Sequence, residues 1–120
     1  MKLIELRKVD FCFEDKRGFL TQLVHEGFNQ VNVLYTKKGE IRGKHYHKIS
    51  VEVFYIVNGS VEVEASKENC TEKYVFNKGD FFQIKPHVIH SMFFLEDCLM
   101  VQMYDRCIEK YDGTKDIYTE

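Results

Sequence analysis

The chain has 120 residues and a mass of 14.3 kDa, which suits one domain, and its 44% hydrophobic and 30% charged residues are the balance of a soluble globular protein. A net charge of −2 at pH 7 excludes the strongly basic surface that binding to nucleic-acid phosphates requires. The apolar runs are of strand length, far short of the roughly 20 residues of a membrane helix, and charges interrupt the N-terminus where a signal peptide would be apolar. The four cysteines form no C-x-x-C pair and are expected to be free thiols. We therefore predict a single cytoplasmic domain over residues 1–120, with neither nucleic acid nor membrane as a partner.

Short runs rich in β-branched and aromatic residues follow one another along the chain, and no segment has the apolar periodicity and caps of a helix. The first run, at 3–6, has no neighbouring run with which to form a hairpin. The later runs lie at 30–35, 51–57, 60–65, 73–76, 81–84, 90–95 and 98–104. Asn58-Gly59, between two of them, is typical of a tight hairpin turn. Closely spaced short strands predict an all-β fold, an antiparallel β-sandwich barrel, and the polar segment 105–120 should cover a sheet edge or lie loose.

The isolated run at 3–6 bears on the oligomeric state. A strand without a partner leaves an open sheet edge, and pairing with the N-terminal strand of a second subunit removes that edge. We therefore predict a homodimer in which the N-terminal strands pair across subunits.

The histidines and one glutamate are the strongest chemical signal in the sequence. His45 and His47 are two residues apart, so on a strand they project from the same face. Glu52 can turn inward beside them if the intervening segment bends, and His90 follows a proline turn at the start of another strand. Three imidazoles and a carboxylate suit a divalent first-row metal ion such as Zn, Fe, Mn or Ni, and the spacing does not say which one. Spacing alone also allows the plainer interpretation that these histidines have no ligand role.

The pattern His45-x-His47-x4-Glu52-x6-Gly59 resembles the first motif of the cupin superfamily, and the segment from Gly79 to His90 resembles the second. In the second motif, Lys85 and His87 stand where proline and glycine are usual. The resemblance implies a jelly-roll barrel of six to eight strands, a dimer, and a metal ion held by His45, His47, Glu52 and His90.

A narrower resemblance covers the segment from Asp15 to Gly59. The motifs that carry it are Asp15-Lys-Arg17-Gly18-Phe19-Leu20, Phe28-Asn-Gln30-Val-Asn32 and Arg42-Gly43-Lys-His45-Tyr46. They are similar to those of dTDP-4-dehydrorhamnose 3,5-epimerases, sugar 3,4-ketoisomerases, WxcM-like cupins and the cupin half of capsular polysaccharide reductases. The resemblance implies an isomerase or epimerase that acts on a nucleotide-linked 4-keto-6-deoxy sugar in polysaccharide biosynthesis. The residues it assigns to the substrate are Arg17, Gln30, Asn32 and Arg42, with His45 as the catalytic base and Tyr104 as the acid.

The two resemblances assign different roles to His45, because an imidazole bound to a metal ion is not a free base. If His45 is a ligand, the metal ion would polarise the ketone and another group, such as Tyr104, would move the proton. Two other functions stay open at this point. The same ligand set also occurs in small metal-dependent cupin dioxygenases, and a cupin can bind or sense a sugar without catalysis.

Overall fold

The computed structural model describes residues 2–119, and over these residues it contains twelve β-strands and no helix. The strands are β1 Ile4–Leu6, β2 Phe11–Asp15, β3 Gly18–Gln22, β4 Gln30–Thr36, β5 Ile41–Tyr46, β6 Glu52–Asn58, β7 Ser60–Lys67, β8 Cys70–Asn77, β9 Phe81–Ile84, β10 Ile89–Phe94, β11 Cys98–Tyr104 and β12 Tyr118–Thr119. All of the strand pairs are antiparallel, so the predicted all-β antiparallel sandwich is confirmed.

Two five-stranded sheets form the sandwich. The first sheet has the order β1-β9-β6-β11-β4 and the second has the order β12-β5-β10-β7-β8. Strand alternation explains why they pack: on β7, Val63 and Ala65 are fully buried, whereas Glu64 between them is exposed. Phe76 of the second sheet stacks on Phe82 of the first, with ring centroids 3.8 Å apart. The core therefore lies between the two sheets.

The N-terminal strand does have a partner within its own chain. Ile4, Glu5 and Leu6 of β1 pair with Ile84, Gln83 and Phe82 of β9, which makes β1 the edge of the first sheet. The expectation that this strand is spare was therefore wrong, because its partner is distant in sequence and forms no hairpin with it. The predicted homodimer is not tested by this pairing.

The β2–β3 hairpin was not expected from the sequence, whereas the C-terminal segment lies as one of the two expectations for it stated. The hairpin of β2 and β3 forms a separate two-stranded sheet that was not predicted, since its charged and exposed residues do not alternate clearly. The polar C-terminal segment does cover a sheet edge, because β12 pairs with β5. Within residues 2–119 there is no helix that is long and apolar enough to cross a membrane.

Candidate metal centre and substrate cavity

A β-bulge interrupts β5 beside the histidines. The pairing with β10 passes from His90–His45 to Ser91–Gly43, which leaves Lys44 as an extra residue with φ of 62°. In a regular strand Arg42 and His45 would face opposite sides, but the extra residue lets both line the same cavity. Gly43 has φ of 104° and permits this geometry, because a Cβ atom there would lie 2.7 Å from the His90 carbonyl oxygen.

The histidines and the glutamate of the predicted ligand set converge in space. Glu52 is the first residue of β6 and is fully buried, and its Oε1 lies 3.1 Å from His47 Nε2 and 2.9 Å from His90 Nε2. The ring of His45 packs edge-on against that of His90, with centroids 4.7 Å apart. One donor atom from each of the four residues lies within 4.8 Å of the other three. The bend of residues 47–51 between β5 and β6 brings Glu52 in beside the imidazoles.

Two imidazole nitrogens in this cluster lack a hydrogen-bond partner. His45 Nε2 and His90 Nε2 are both buried and unpaired. His90 Nδ1 lies 3.1 Å from the Val88 carbonyl oxygen, which can only accept, so Nδ1 carries the proton and Nε2 presents a lone pair. A buried lone pair 2.9 Å from the carboxylate of Glu52 is unfavourable unless a proton or a cation lies between them. The donor set therefore fits a divalent cation.

The protonation states agree with this fit. Burial, together with the charge of His90, lowers the pKa of His45 to about 4 in spite of Glu52, so that this imidazole is neutral at pH 7. Burial opposes ionisation of Glu52, but the adjacent imidazoles of His47 and His90 hold its pKa below the usual range. A neutral imidazole beside an ionised carboxylate is the state in which these groups bind a metal ion.

The second carboxylate oxygen of Glu52 is occupied by a polar network. Oε2 accepts hydrogen bonds from Gln102 Nε2 at 2.6 Å and from the Tyr104 hydroxyl at 2.9 Å. Gln102 Oε1 in turn accepts from Asn32 Nδ2 at 2.9 Å. Burial and then the charge of Glu52 raise the pKa of Tyr104 far above its usual value, so this phenol keeps its proton at neutral pH. The network leaves Oε1 directed toward the three histidines.

The cluster lies at the floor of a cavity of 510 Å³ between the sheets, within the size range of small-molecule sites. Among the predicted site residues, those that line it are Gln30, Asn32, Arg42, His45, Glu52, His90 and Tyr104. Two of the predicted substrate residues already use part of their hydrogen-bonding capacity within the protein. Gln30 Oε1 accepts a hydrogen bond from the Ile108 amide at 2.9 Å, and Arg42 Nε donates one to Thr36 Oγ1 at 2.7 Å. His47 does not line the cavity but lies behind the cluster, 1% exposed.

Arg17 is the one predicted site residue that this chain does not bring near the cavity. It sits at the turn of the β2–β3 hairpin, its side chain is 80% exposed, and it forms an ion pair of 2.6 Å with Asp15. Its predicted role in substrate binding is not supported by its position within a single chain.

Three residues at the site were not predicted. Gln102 shares the face of β11 with Tyr104, and a polar residue within that apolar strand was an available signal. Lys115 lines the cavity, and Asp116 is buried beside His47. Both lie in a polar segment in which no pattern distinguishes them from solvated residues.

Comparison with known proteins identifies the fold. The sugar 3,4-ketoisomerase QdtA from Thermoanaerobacterium thermosaccharolyticum, solved in complex with TDP, is 26% identical and superposes with a TM-score of 0.80 over 98% of this chain and 88% of that one. The dTDP-4-dehydrorhamnose 3,5-epimerase from Sulfolobus tokodaii is 20% identical, with a TM-score of 0.68 over 86% of this chain and 75% of that one. The capsular polysaccharide assembling protein CapF from Staphylococcus aureus is 21% identical, with a TM-score of 0.68 over 91% of this chain but 32% of that one.

These likenesses confirm the predicted cupin jelly roll. A search of curated protein sequences found no match. Residues 13–112 match the family model described as the polysaccharide biosynthesis C-terminal domain. Because this match spans most of the chain, the protein belongs to the family of polysaccharide biosynthesis C-terminal domains.

Proposed function

We propose that the protein is an isomerase or epimerase that acts on a nucleotide-linked 4-keto-6-deoxy sugar and holds a divalent metal ion. The observation that carries this proposal is the pair of buried, unpartnered nitrogens, His45 Nε2 and His90 Nε2, which lie beside Glu52 at the floor of the cavity. His45, His47, Glu52 and His90 would hold the ion, which could be Zn, Fe, Mn or Ni. When bound, such an ion would act as a Lewis acid toward a carbonyl oxygen.

The walls of the cavity suit a nucleotide sugar. Arg42 and Lys115 are its cationic lining residues and could contact phosphate oxygens, while the amides of Gln30 and Asn32 could bind sugar hydroxyls. Apolar surface for the non-polar faces of the ligand comes from Leu34, Ile41, Phe54, Met92, Ile108 and Ile117. The TDP complex of the similar ketoisomerase supports the same substrate class.

The proton chemistry depends on the role of His45. As a ligand His45 is not a free base, and the cavity-lining group that holds a transferable proton is then the Tyr104 hydroxyl. Because its pKa is raised by burial and by Glu52, Tyr104 is protonated at neutral pH and is suited to donate rather than to accept. Without a bound ion, the neutral His45 imidazole could serve as the base instead.

Exchange of the sugar C3 proton tests this proposal. We would incubate the metal-loaded full chain in D₂O with dTDP-, UDP- and GDP-linked 4-keto-6-deoxyglucose and follow the sugar protons by NMR. We expect the C3 proton to be lost to solvent with at least one of these nucleotides, as enolisation beside the ketone requires. Tyr104→Phe should slow product formation without preventing binding, whereas Tyr111→Phe, which changes an exposed tyrosine on the C-terminal segment, should behave as the wild type.

The same experiment can contradict the proposal. Binding without any proton exchange would support a non-catalytic sugar-binding or sensing cupin. Oxygen consumption by the Fe(II)-loaded chain would support a small cupin dioxygenase. Either result would rule out the isomerase assignment.

The homodimer is a second part of the proposal. The β2–β3 hairpin exposes Phe11, Phe13, Phe19 and Leu20, and the outer face of the edge strand β4 exposes Val31, Val33 and Tyr35. Apolar rows of this size on an edge strand and a projecting hairpin are characteristic of association surfaces.

The four cysteines are free thiols, which supports a cytoplasmic location.

A further inference from the structure

The C-terminal segment 105–119, here named the C-terminal strap, contacts the cluster more closely than a cover over a sheet edge would need to. Its residue Asp116 is 2% exposed. The Asp116 carboxylate accepts hydrogen bonds from the backbone amides of Lys48 at 2.9 Å, Ile49 at 3.1 Å and Ser50 at 2.8 Å. These three donors belong to the short loop whose two ends carry His47 and Glu52.

The main chain of Asp116 also contacts a predicted ligand directly. His47 Nδ1 lies 2.6 Å from the Asp116 carbonyl oxygen, which can only accept a hydrogen bond. The proton of His47 is therefore fixed on Nδ1, and Nε2 is directed toward Glu52 Oε1. Hydrogen bonds of this kind set the tautomer and the ring orientation of histidine ligands.

The flanking residues of the strap face the substrate side. Lys115 and Ile117 line the cavity, while Asp116 between them points into the protein. Beyond them, Tyr118 and Thr119 of β12 pair with Tyr46 and His45 of β5. The strap is thus in contact with the cavity, with the 47–51 loop and with the strand that carries His45.

We propose that Asp116 is a positioning residue that holds His47 and Glu52 in the geometry of the ligand site, and that the C-terminal strap is thereby a functional part of the site. The proposal rests on the proposed metal-binding function. Asp116 acts through four hydrogen bonds: its carboxylate accepts three from backbone amides of the 47–51 loop, and its carbonyl oxygen accepts one from the imidazole of His47. Loss of the carboxylate should release the loop and let the strap move, which loosens both ligands together.

The test compares Asp116→Asn with Asp112→Asn in the full chain. Asp112 is a matched control, because it lies on the same strap and accepts hydrogen bonds from the Thr114 amide and hydroxyl in an exposed turn. We would measure Zn²⁺ affinity by chelator competition, the absorption spectrum of the Co²⁺-loaded protein, and the urea stability of the metal-free chain. We expect Asp116→Asn to weaken Zn²⁺ binding by about 10- to 100-fold and to change the Co²⁺ spectrum, and Asp112→Asn to do neither.

The outcomes separate a positioning role from a structural one. If Asp116→Asn lowers urea stability but binds Zn²⁺ within twofold of the wild type, with an unchanged Co²⁺ spectrum, Asp116 is an ordinary structural anchor and the proposal is overturned. If Asp116→Asn does not fold, amide exchange in the wild type decides. Zn²⁺ should then slow exchange of the Lys48, Ile49 and Ser50 amides but not that of Thr114, and equal rates with and without Zn²⁺ would overturn the proposal.

Failure of the proposed function gives a different result. In that case the wild type itself would bind neither Zn²⁺ nor Co²⁺. The positioning role is then read from the imidazole nitrogen NMR shifts of His47, which Asp116→Asn should alter and Asp112→Asn should not. Unaltered shifts in both variants would overturn the positioning role independently.

Discussion

Replacing Gly43 by alanine should disturb the ligand site through the backbone alone. A Cβ atom at this position would lie 2.7 Å from the His90 carbonyl oxygen and 3.0 Å from Ser91 Cα. Since ordinary C···O contacts need about 3.3 Å, β5 and β10 would have to separate locally by about 0.6 Å. These strands carry His45 and His90, so the separation moves two of the four predicted ligands apart.

Two costs should follow from this substitution. The left-handed φ of 104° costs about 1–2 kcal/mol for an alanine, and the overpacking costs about 1–3 kcal/mol, so we expect a loss of roughly 2–5 kcal/mol in the free energy of unfolding. Metal sites tolerate errors of only about 0.2 Å in ligand distance, so Zn²⁺ affinity should also fall, by at least about tenfold.

Gly59→Ala is the matched control. Gly59 has φ of 99°, and a Cβ atom there would collide even more severely with the Asp97 carbonyl oxygen, but it lies in the β6–β7 turn and contacts no predicted ligand. Urea unfolding of the metal-free chains and chelator competition with Zn²⁺ would be measured for both variants. Both should be destabilised, and only Gly43→Ala should lose affinity. Equal Zn²⁺ affinities in the two folded variants would refute the argument that Gly43 sets the spacing of the ligands.

Three other predictions concern acid stability, backbone strain and association. The metal-free protein should lose stability as the pH falls from about 6.5 to about 4, because burial and the charge of His90 lower the pKa of His45 to about 4, so that the unfolded chain takes up this proton first. In urea titrations His45→Gln should flatten this slope, and an unchanged slope would argue against it. His87 is exposed with φ of 69°, so His87→Gly should raise stability by roughly 0.5–1 kcal/mol, and a measured loss would mean that the strain is absent. Light scattering should give twice the 14.3 kDa of the chain, and Val33→Lys should give monomers; a monomeric wild type or a dimeric variant would contradict the proposed surface.

The convergence of the four cluster residues could be expected from the sequence because it follows from local geometry. Strand alternation places His45 and His47 on one face, and a bend of a few residues is enough to bring in Glu52. The role of these residues as ligands stays a prediction. The backbone conformation of His87 also follows from a local pattern. His87 stands where the second cupin motif usually has glycine, and it adopts a left-handed φ.

The remaining features depend on contacts between distant segments. Asp116 is 66 to 68 residues away from the backbone amides that donate hydrogen bonds to its carboxylate, and β1 pairs with a strand about 78 residues further along the chain. No periodicity encodes such partners. The role of Arg17 stays a prediction: a motif that resembles a family pattern suggested a substrate-binding residue, and in the single chain Arg17 lies on an exposed hairpin paired with Asp15.

Metal stoichiometry tests the central claim most directly. The full chain would be stripped with a chelator, dialysed against Zn²⁺, and analysed for bound metal beside His47→Ala and His25→Ala. His25 is the control, because it is an exposed histidine paired with Asp10 away from the cluster. We predict one ion per chain in the wild type and in His25→Ala, and less than about a tenth of that in His47→Ala at the same free Zn²⁺. A wild type without bound metal, or a His47→Ala variant that retains it, would contradict a site built from His45, His47, Glu52 and His90.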